Sequence, residues 1–285
     1  MVRKSAFAIS YVFLIAFVAL GMARMALAQS SGGAAAGSSG GNRDIGRDTS
    51  PLNPENSFDV LLHPPDKKED KAYNVFKAVA DTDVAKKIQA GENFVKAYPS
   101  SELVRYIYPY LVVGYIQTGQ IDKGIAAAQK DFEVNPKDFR TMAVVSQTLA
   151  RTYAPTAPNA EEQLVKAERY GKKALEGVAT LAKPEGATDE AFAQMKTETE
   201  AMAHGGLGLV QVRRSKYAEA IPDLEKATSL NPADQTNFYV LGMADANVKR
   251  FLEAAEAFTK CATLSGHLQQ QCSDSAKDAK KSAGN

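Results

Sequence analysis

Apolar side chains recur every three or four residues from about Lys71 almost to the C-terminus. This spacing places them on one face of an α-helix. No run alternating Val, Ile or Thr with polar residues separates the periodic segments, so the pattern predicts an all-α chain and does not favour a βαβ enzyme scaffold. Turn-forming residues mark the helix ends: Pro99-Ser100, Thr118-Gly119, Asn135-Pro136, Pro155 to Asn159, Lys183-Pro184, Asn231-Pro232 and Ser265-Gly266.

Residues 201–234 match residues 235–268 at an offset of 34. An internal match of this length is typical of repeat proteins, in which each copy is one pair of helices. The corresponding residues share size and polarity: Leu207 with Leu241, Gly208 with Gly242, Tyr217 with Phe251, Ala220 with Ala254, Leu224 with Phe258, Ala227 with Cys261, and Leu230 with Leu264.

Each copy predicts a helical hairpin with closely packed helices. Gly208 and Gly242 on the first helix face Ala220 and Ala254 on the second. Small side chains at these positions allow the helix axes to approach to the short end of the usual range of about 8–10 Å. Pro232 ends the first copy, because proline disfavours helix in the residue before it.

This order of Leu-Gly, aromatic, Ala, aromatic, Ala and Pro resembles the tetratricopeptide repeat family. The resemblance is clear at residues 201–234 and 235–268, weaker at 105–138 and 139–180, and degenerate at about 71–98. It implies a right-handed superhelical solenoid over residues 69–281, with about four or five hairpins and a C-terminal capping helix. Residues 282–285 are then a short tail.

Two segments depart from the repeat pattern. Pro109 lies inside a predicted first helix, which favours either a kink or a late helix start. Apolar residues from Thr188 to Leu209 keep helical spacing, so this first helix is predicted to be extended at its N-terminus. The extension either covers the core of its neighbour or forms an arm that binds a partner. Gly205-Gly206 is a potential bend within it.

In the resembled family, first helices line a concave surface that binds peptides or protein segments. The corresponding positions here carry Arg, Met, aromatic and amide side chains, which suit an adaptable protein-binding surface. For each position the alternative is a place in the core between repeats. The expected groove residues are Tyr106, Gln117, Arg140, Gln147, Arg151, Leu209, Arg213, Tyr239, Met243 and Asn247, with Val113 and Met202 beside them.

The sequence offers no catalytic or cofactor-binding motif. His63, His204 and His267 each lack a second His or Cys at metal-ligand spacing. Gly206-Leu207-Gly208 lacks the third glycine of a dinucleotide-binding loop. We therefore expect a protein that is not an enzyme and that carries no cofactor and no metal.

The first 28 residues have the features of a signal peptide. Arg3 and Lys4 precede an apolar run from Ala6 to Ala23, and Ala26-Leu27-Ala28 supplies small residues before a cut at Gln29. The alternative is an uncleaved anchor, since the run is near the lower limit of about 17–25 residues for a spanning helix. Residues 29–68 are rich in Gly, Ser and Pro and predict a disordered linker.

Charge argues against one class of partner. The chain has 34 Lys and Arg against 33 Asp and Glu, a formal charge of +1, and removal of residues 1–28 changes it to −2. Nucleic-acid backbones are bound by clustered basic residues that neutralise phosphates. We therefore expect no nucleic-acid partner.

The two cysteines suggest a bond near the C-terminus. Cys261 lies in a small-residue position of the last hairpin, and Cys272 lies in the helix predicted to cap the array. In an oxidising compartment they can form a disulfide that closes a loop of about 12 residues, a constraint worth about 3 kcal/mol. The alternative is two separate thiols.

Together these features predict an exported bacterial protein, periplasmic or secreted. It acts as a non-catalytic scaffold of the cell envelope that binds protein or peptide partners. The alternative is a structural or assembly subunit tethered to the inner membrane by an uncleaved N-terminal anchor, which is the case in which the membrane is also a partner.

Overall fold

The computed structural model describes residues 67–184 and 186–284. The predicted signal peptide and residues 29–66 of the predicted linker lie outside the described residues. The described residues form eleven helices and no strand: α1 (Lys67–Ala78), α2 (Val84–Ala97), α3 (Val104–Gln117), α4 (Ile121–Val134), α5 (Phe139–Arg151), α6 (Ala160–Thr180), α7 (Asp189–Arg213), α8 (Tyr217–Leu230), α9 (Gln235–Asn247), α10 (Phe251–Thr263) and α11 (Gln269–Ala283).

Consecutive helices pack in pairs. The five hairpins are α1/α2, α3/α4, α5/α6, α7/α8 and α9/α10, and α11 folds back against α10. Neighbouring hairpins join where α7 packs along both α5 and α6, and where α9 packs along α8. The predicted solenoid of helical hairpins with a capping helix is therefore confirmed for the described residues.

Side-chain caps fix the start of several helices. Asp83, Asp138, Thr188 and Asp234 precede α2, α5, α7 and α9, and each accepts a hydrogen bond from a backbone N–H of the first turn. These bonds satisfy amides that have no partner within the helix, and each is worth about 1 kcal/mol. Helix α3 begins at Val104 and continues through Pro109, so of the two alternatives, a kink or a late start, the late start is not observed.

In three of the hairpins, the turn between the two helices contains one residue with a left-handed backbone conformation. Gly119, Ser215 and Lys249 have φ values of 76°, 60° and 64°. In each turn the following N–H donates to a carbonyl five residues earlier, as in Lys216 to Gln211 at 2.9 Å and Arg250 to Asp245 at 2.9 Å. This is the Schellman motif, and it reverses the chain between the two helices. Ser215 and Lys249 are 34 positions apart, so the turn is part of the repeat.

The first helices α5 and α7 cross at very short range. A methyl group added to Gly206 would lie 2.6 Å from Ser146 Oγ and 3.0 Å from the backbone nitrogen of Gln147. Helix α7 is continuous through Gly205 and Gly206, so the two glycines provide close packing within an unbroken helix. Larger side chains here would force the two helices apart.

The N-terminal extension of α7 covers its neighbours. Helix α7 begins at Asp189, capped by Thr188, which confirms the predicted extension. Met195 and Thr199 in this part are buried, and Glu198 pairs with Arg140 of α5. Of the two expected roles, covering a neighbouring core is the one seen for these side chains.

We expect Ser215→Gly and Lys249→Gly each to raise the free energy of unfolding by about 0.5–1 kcal/mol. A left-handed conformation costs a residue with a side chain about 1–2 kcal/mol, and the extra chain entropy of glycine offsets part of the gain. Urea denaturation followed by circular dichroism measures the change. Ser229→Gly, the same substitution at an exposed position within α8, is the control and should lose about 0.5–1 kcal/mol. A similar loss in Ser215→Gly would contradict this explanation.

We expect Gly206→Ala to destabilise the protein by about 1–3 kcal/mol, because the new methyl meets backbone atoms of α5 that cannot move aside. Gly205→Ala is the matched comparison. Its methyl meets the side-chain amide of Asn237 at 2.9 Å, and that amide can rotate. Both variants gain about 1 kcal/mol of helix propensity. A denaturation midpoint of Gly206→Ala at or above that of the unmodified protein would show that the α5/α7 crossing tolerates added volume.

Candidate protein-binding surface

The predicted groove residues lie on the first helices α3, α5, α7 and α9, and we call the side that these helices share the first-helix face. The side chains divide by exposure. Four are buried in the core, namely Tyr106, Gln147, Leu209 and Tyr239. Five are partly exposed, namely Gln117, Arg140, Arg151, Arg213 and Met243, and Asn247 is exposed. Six of the ten predicted residues are therefore accessible enough to contact a partner directly.

The two buried tyrosines pack at opposite ends of the array. Tyr106 lies against Tyr73 of α1, with ring centroids 6.3 Å apart. Tyr239 packs against Phe258, and its hydroxyl accepts a hydrogen bond from Gln271 of α11. Aromatic pairs of this kind stabilise by about 0.5–1.5 kcal/mol beyond the area they bury. Both tyrosines therefore hold helices together.

Gly205 leaves room for side chains from two other first helices. A methyl at this position would lie 2.9 Å from the Asn237 amide and 3.2 Å from Nε2 of Gln147. Gln147 belongs to α5 and Asn237 to α9. The buried amides of α5 and α9 thus approach each other beside α7, and Gln147 contributes to the junction of three hairpins.

The three arginines of the predicted groove each bind another helix or its end. Arg151 forms an ion pair with Asp234 at 2.9 Å, and its side chain is only 13% exposed. Arg213 Nε donates to the backbone oxygen of Ala150 at 3.3 Å, and its guanidinium lies 5.8 Å from the Tyr153 ring centroid. The nearest nitrogen and oxygen of Arg140 and Glu198 are 3.9 Å apart. The arginines therefore link α5 to α7 and to the start of α9.

The Arg151–Asp234 pair has a second effect. Asp234 Oδ1 accepts the backbone N–H groups of Thr236 and Asn237, while Oδ2 accepts from Arg151. Charge-assisted hydrogen bonds in a partly buried setting are stronger than exposed ion pairs. Arg151 thus fixes the carboxylate that caps α9. Sequence reasoning missed Asp234, although its position just after Pro232 was a signal for a helix cap.

Three predicted residues form no hydrogen bond or ion pair with another repeat within the part of the chain that the structure describes, although Met243 also packs against buried apolar residues. Met243 and Asn247 lie one turn apart on α9, and Asn247 Nδ2 donates to the backbone oxygen of Met243 at 2.8 Å. Gln117 lies on α3, which runs close to α5 over only a short stretch. A flexible thioether beside an exposed amide can adapt to varied partners. The end of α9 is therefore the best-defined candidate contact.

The structure describes two of the three histidines, His204 and His267, and His63 lies outside the described residues. His204 Nδ1 lies 2.7 Å from Asp223 Oδ1, which joins α7 to α8. Burial lowers the pKa of His267, and the nearby charge of Arg151 lowers it further. Within residues 67–184 and 186–284, no cluster of His, Cys, Asp and Glu is arranged to hold a metal ion. None of the helices in these ranges is both long enough and apolar enough to cross a membrane.

The two cysteines meet between α10 and α11. Their Cα atoms are 5.7 Å apart, within the range of about 4.4–6.8 Å that a disulfide spans. Both side chains are fully buried. The geometry is compatible with the predicted Cys261–Cys272 bond, and the bond itself stays a prediction.

Comparison with known proteins identifies one repeat. Residues 203–234 match the tetratricopeptide repeat model, a family whose repeats generally mediate protein–protein interaction. The matched segment covers the C-terminal half of α7 and all of α8. No curated protein matches the chain.

Proposed function

We propose that this protein is a non-catalytic scaffold that binds peptide or protein segments along its first-helix face. The observation that carries the proposal is the tetratricopeptide repeat match at residues 203–234. The following hairpin, α9/α10, repeats its pattern at an offset of 34 residues. Its first helix carries Met243 and Asn247 on the side that we assign to the partner.

Contacts between hairpins favour binding by a preformed surface. The arginine contacts of α5 with α7 and Asp234 restrain the first helices relative to one another. A partner then meets side chains that are already in position, so less conformational entropy is lost on binding. Because Arg151 and Arg213 have this structural role, their replacement would alter the solenoid as well as any ligand contact.

The test therefore uses Met243 and Asn247, which form no hydrogen bond or ion pair with another repeat among the described residues. A photo-crosslinking amino acid replaces Met243 in the exported protein, and a second sample carries it at Lys226, an exposed position of the second helix α8. We expect discrete crosslinked protein species from position 243 and none of these from position 226. Envelope extract from the producing organism supplies the partners.

A competition measurement makes the result specific. Added in excess, the unmodified protein should compete for the species crosslinked from position 243. The double variant Met243→Glu/Asn247→Lys should compete at least tenfold less well, because both changes alter the contact surface. Met243 also packs against buried apolar residues of the core, so the competition is measured at a temperature at which thermal unfolding shows the double variant to be folded. Equal crosslinking from positions 243 and 226, or equal competition by the double variant and the unmodified protein, would contradict binding at the first-helix face.

We further propose that the chain is exported to the bacterial cell envelope, in the periplasm or beyond, and that Cys261 and Cys272 are bonded there. The signal-like residues 1–28 support export. The separation of the Cα atoms supports the bond. A disulfide at this place would hold the capping helix α11 against the last hairpin.

The N-terminus of the mature protein tests the proposed export. N-terminal sequencing of the mature protein should begin at Gln29, whereas an uncleaved membrane anchor would leave the N-terminal segment on a membrane-bound product.

Thiol titration of the denatured exported protein should find no free thiol. We expect Cys272→Ser to lower the free energy of unfolding by about 3 kcal/mol in the oxidised protein and by much less under reducing conditions. Two reactive thiols in the exported protein would contradict the bond.

A further inference from the structure

A concave pocket of about 300 Å³ lies between α8, α9 and α10. Its residues on α9 are Phe238, Leu241 and Asp245. With 3.6 residues per turn, these positions lie on the opposite side of α9 from Met243 and Asn247. The pocket is thus separate from the first-helix face. Its remaining lining residues are Glu225, Arg250, Glu253, Glu256, Ala257 and Lys260.

Asp245 is the unusual member of this pocket. Its side chain is 2% exposed, and its Oδ1 atom is buried without a hydrogen bond. Arg250 Nε lies 3.3 Å from that oxygen, close enough for attraction although the pair does not have hydrogen-bond geometry. A buried carboxylate oxygen that lacks a hydrogen bond lowers stability. The fold therefore holds a negative charge here at a cost.

The position of Asp245 in its helix adds to that cost. It lies in the last turn of α9, where the partial negative charge of the helix end disfavours another negative charge. The equivalent residue one repeat earlier is Gln211, which is uncharged. The turn between α9 and α10 needs only the backbone carbonyl of residue 245, which accepts the Arg250 N–H. Neither the repeat nor the turn requires the carboxylate.

The charge around Asp245 is not balanced within the pocket. Four carboxylates, from Asp245 and three glutamates, face two cations, Arg250 and Lys260. Arg250 is shared among Asp245, Glu225 and Glu253 at 3.3–3.4 Å. Burial raises the pKa of Asp245 to about 6, with Glu225 and Glu253 acting in the same direction and Arg250 opposing them. An added positive charge would therefore be attracted to this pocket.

We propose that this pocket binds an organic cation with a short apolar stem, an alkylguanidinium or alkylammonium group. The cation lies at Asp245 and the rim glutamates, and the stem packs against Phe238, Leu241 and Ala257. The volume is at the small end of ligand pockets, which suits a single side chain or a small amine. Apolar walls and an excess of negative charge together favour such a ligand over an anion.

The test is a titration of the isotopically labelled protein with n-butylguanidinium, in which binding is detected from the changes in amide chemical shifts. We expect saturable shifts at amides of α9 and α10 around the pocket. n-Pentanol, an uncharged probe of similar size, should bind at least tenfold more weakly. Asp245→Asn keeps the shape of the side chain, removes its charge, and is expected to weaken n-butylguanidinium binding at least tenfold.

Two further variants keep the experiment decisive. Glu219→Gln removes the same charge from an exposed position of α8 outside the pocket and should leave the affinity within twofold. Glu256→Gln alters the exposed rim alone and should weaken binding about twofold to threefold, so it tests the site even if Asp245→Asn unfolds. The absence of saturable shifts, equal affinity in all variants, or equal binding of n-pentanol would overturn the proposal.

The source of the cation is distinguished by a third probe. A tripeptide with an internal arginine and blocked ends carries the same group on a polypeptide. Binding at least as tight as that of n-butylguanidinium identifies a protein side chain as the ligand, and binding of n-butylguanidinium alone identifies a free small amine. The double variant Met243→Glu/Asn247→Lys should leave both affinities unchanged, so the outcome is independent of the first-helix face.

Discussion

The close crossing of α5 and α7 constrains the rest of the array. Ser146 of α5 lies where Gly171 of α6 and Gly206 of α7 both lack side chains, and a methyl on either glycine would come within 2.8 Å of Ser146 Oγ. Three helices thus converge on one small residue. Because the backbones meet here, the positions of α8 and α9 follow from the packing of α7. The same proximity lets Gln147 and Asn237 approach each other next to Gly205.

In the structure, the arginines of the first helices have a different role from the one that the sequence suggests. In a sequence, Arg residues at corresponding positions of first helices suggest recognition of a partner. In the fold, Arg213 donates a hydrogen bond to the backbone of α5, and Arg151 donates one to the carboxylate that caps α9. The surface left for a ligand is smaller and less basic than the sequence suggests, and it is concentrated near the end of α9.

The sequence predicted the hairpins well because their determinants are local. The pairing of Gly208 with Ala220 involves residues of a single repeat, and so does the turn at Gly119 in an earlier repeat. Periodicity and residue type therefore reveal both features. The contacts that define the face are not local: Arg151 and Asp234 are 83 residues apart. Asp245 was likewise indistinguishable from an ordinary surface acid, since only the packing of α8 and α10 around α9 buries it.

In an ideal solenoid each hairpin interacts with its immediate neighbours alone, and stability is close to a sum of repeat and interface contributions. The Arg151–Asp234 bond departs from that scheme, because it joins the α5/α6 hairpin to the start of α9 across the intervening α7/α8 hairpin. Loss of the last hairpin would therefore remove a stabilising contact of the α5/α6 hairpin, two units away. We therefore expect the helices from α5 to α11 to unfold more cooperatively than the two hairpins before them, which pack only lightly against α5.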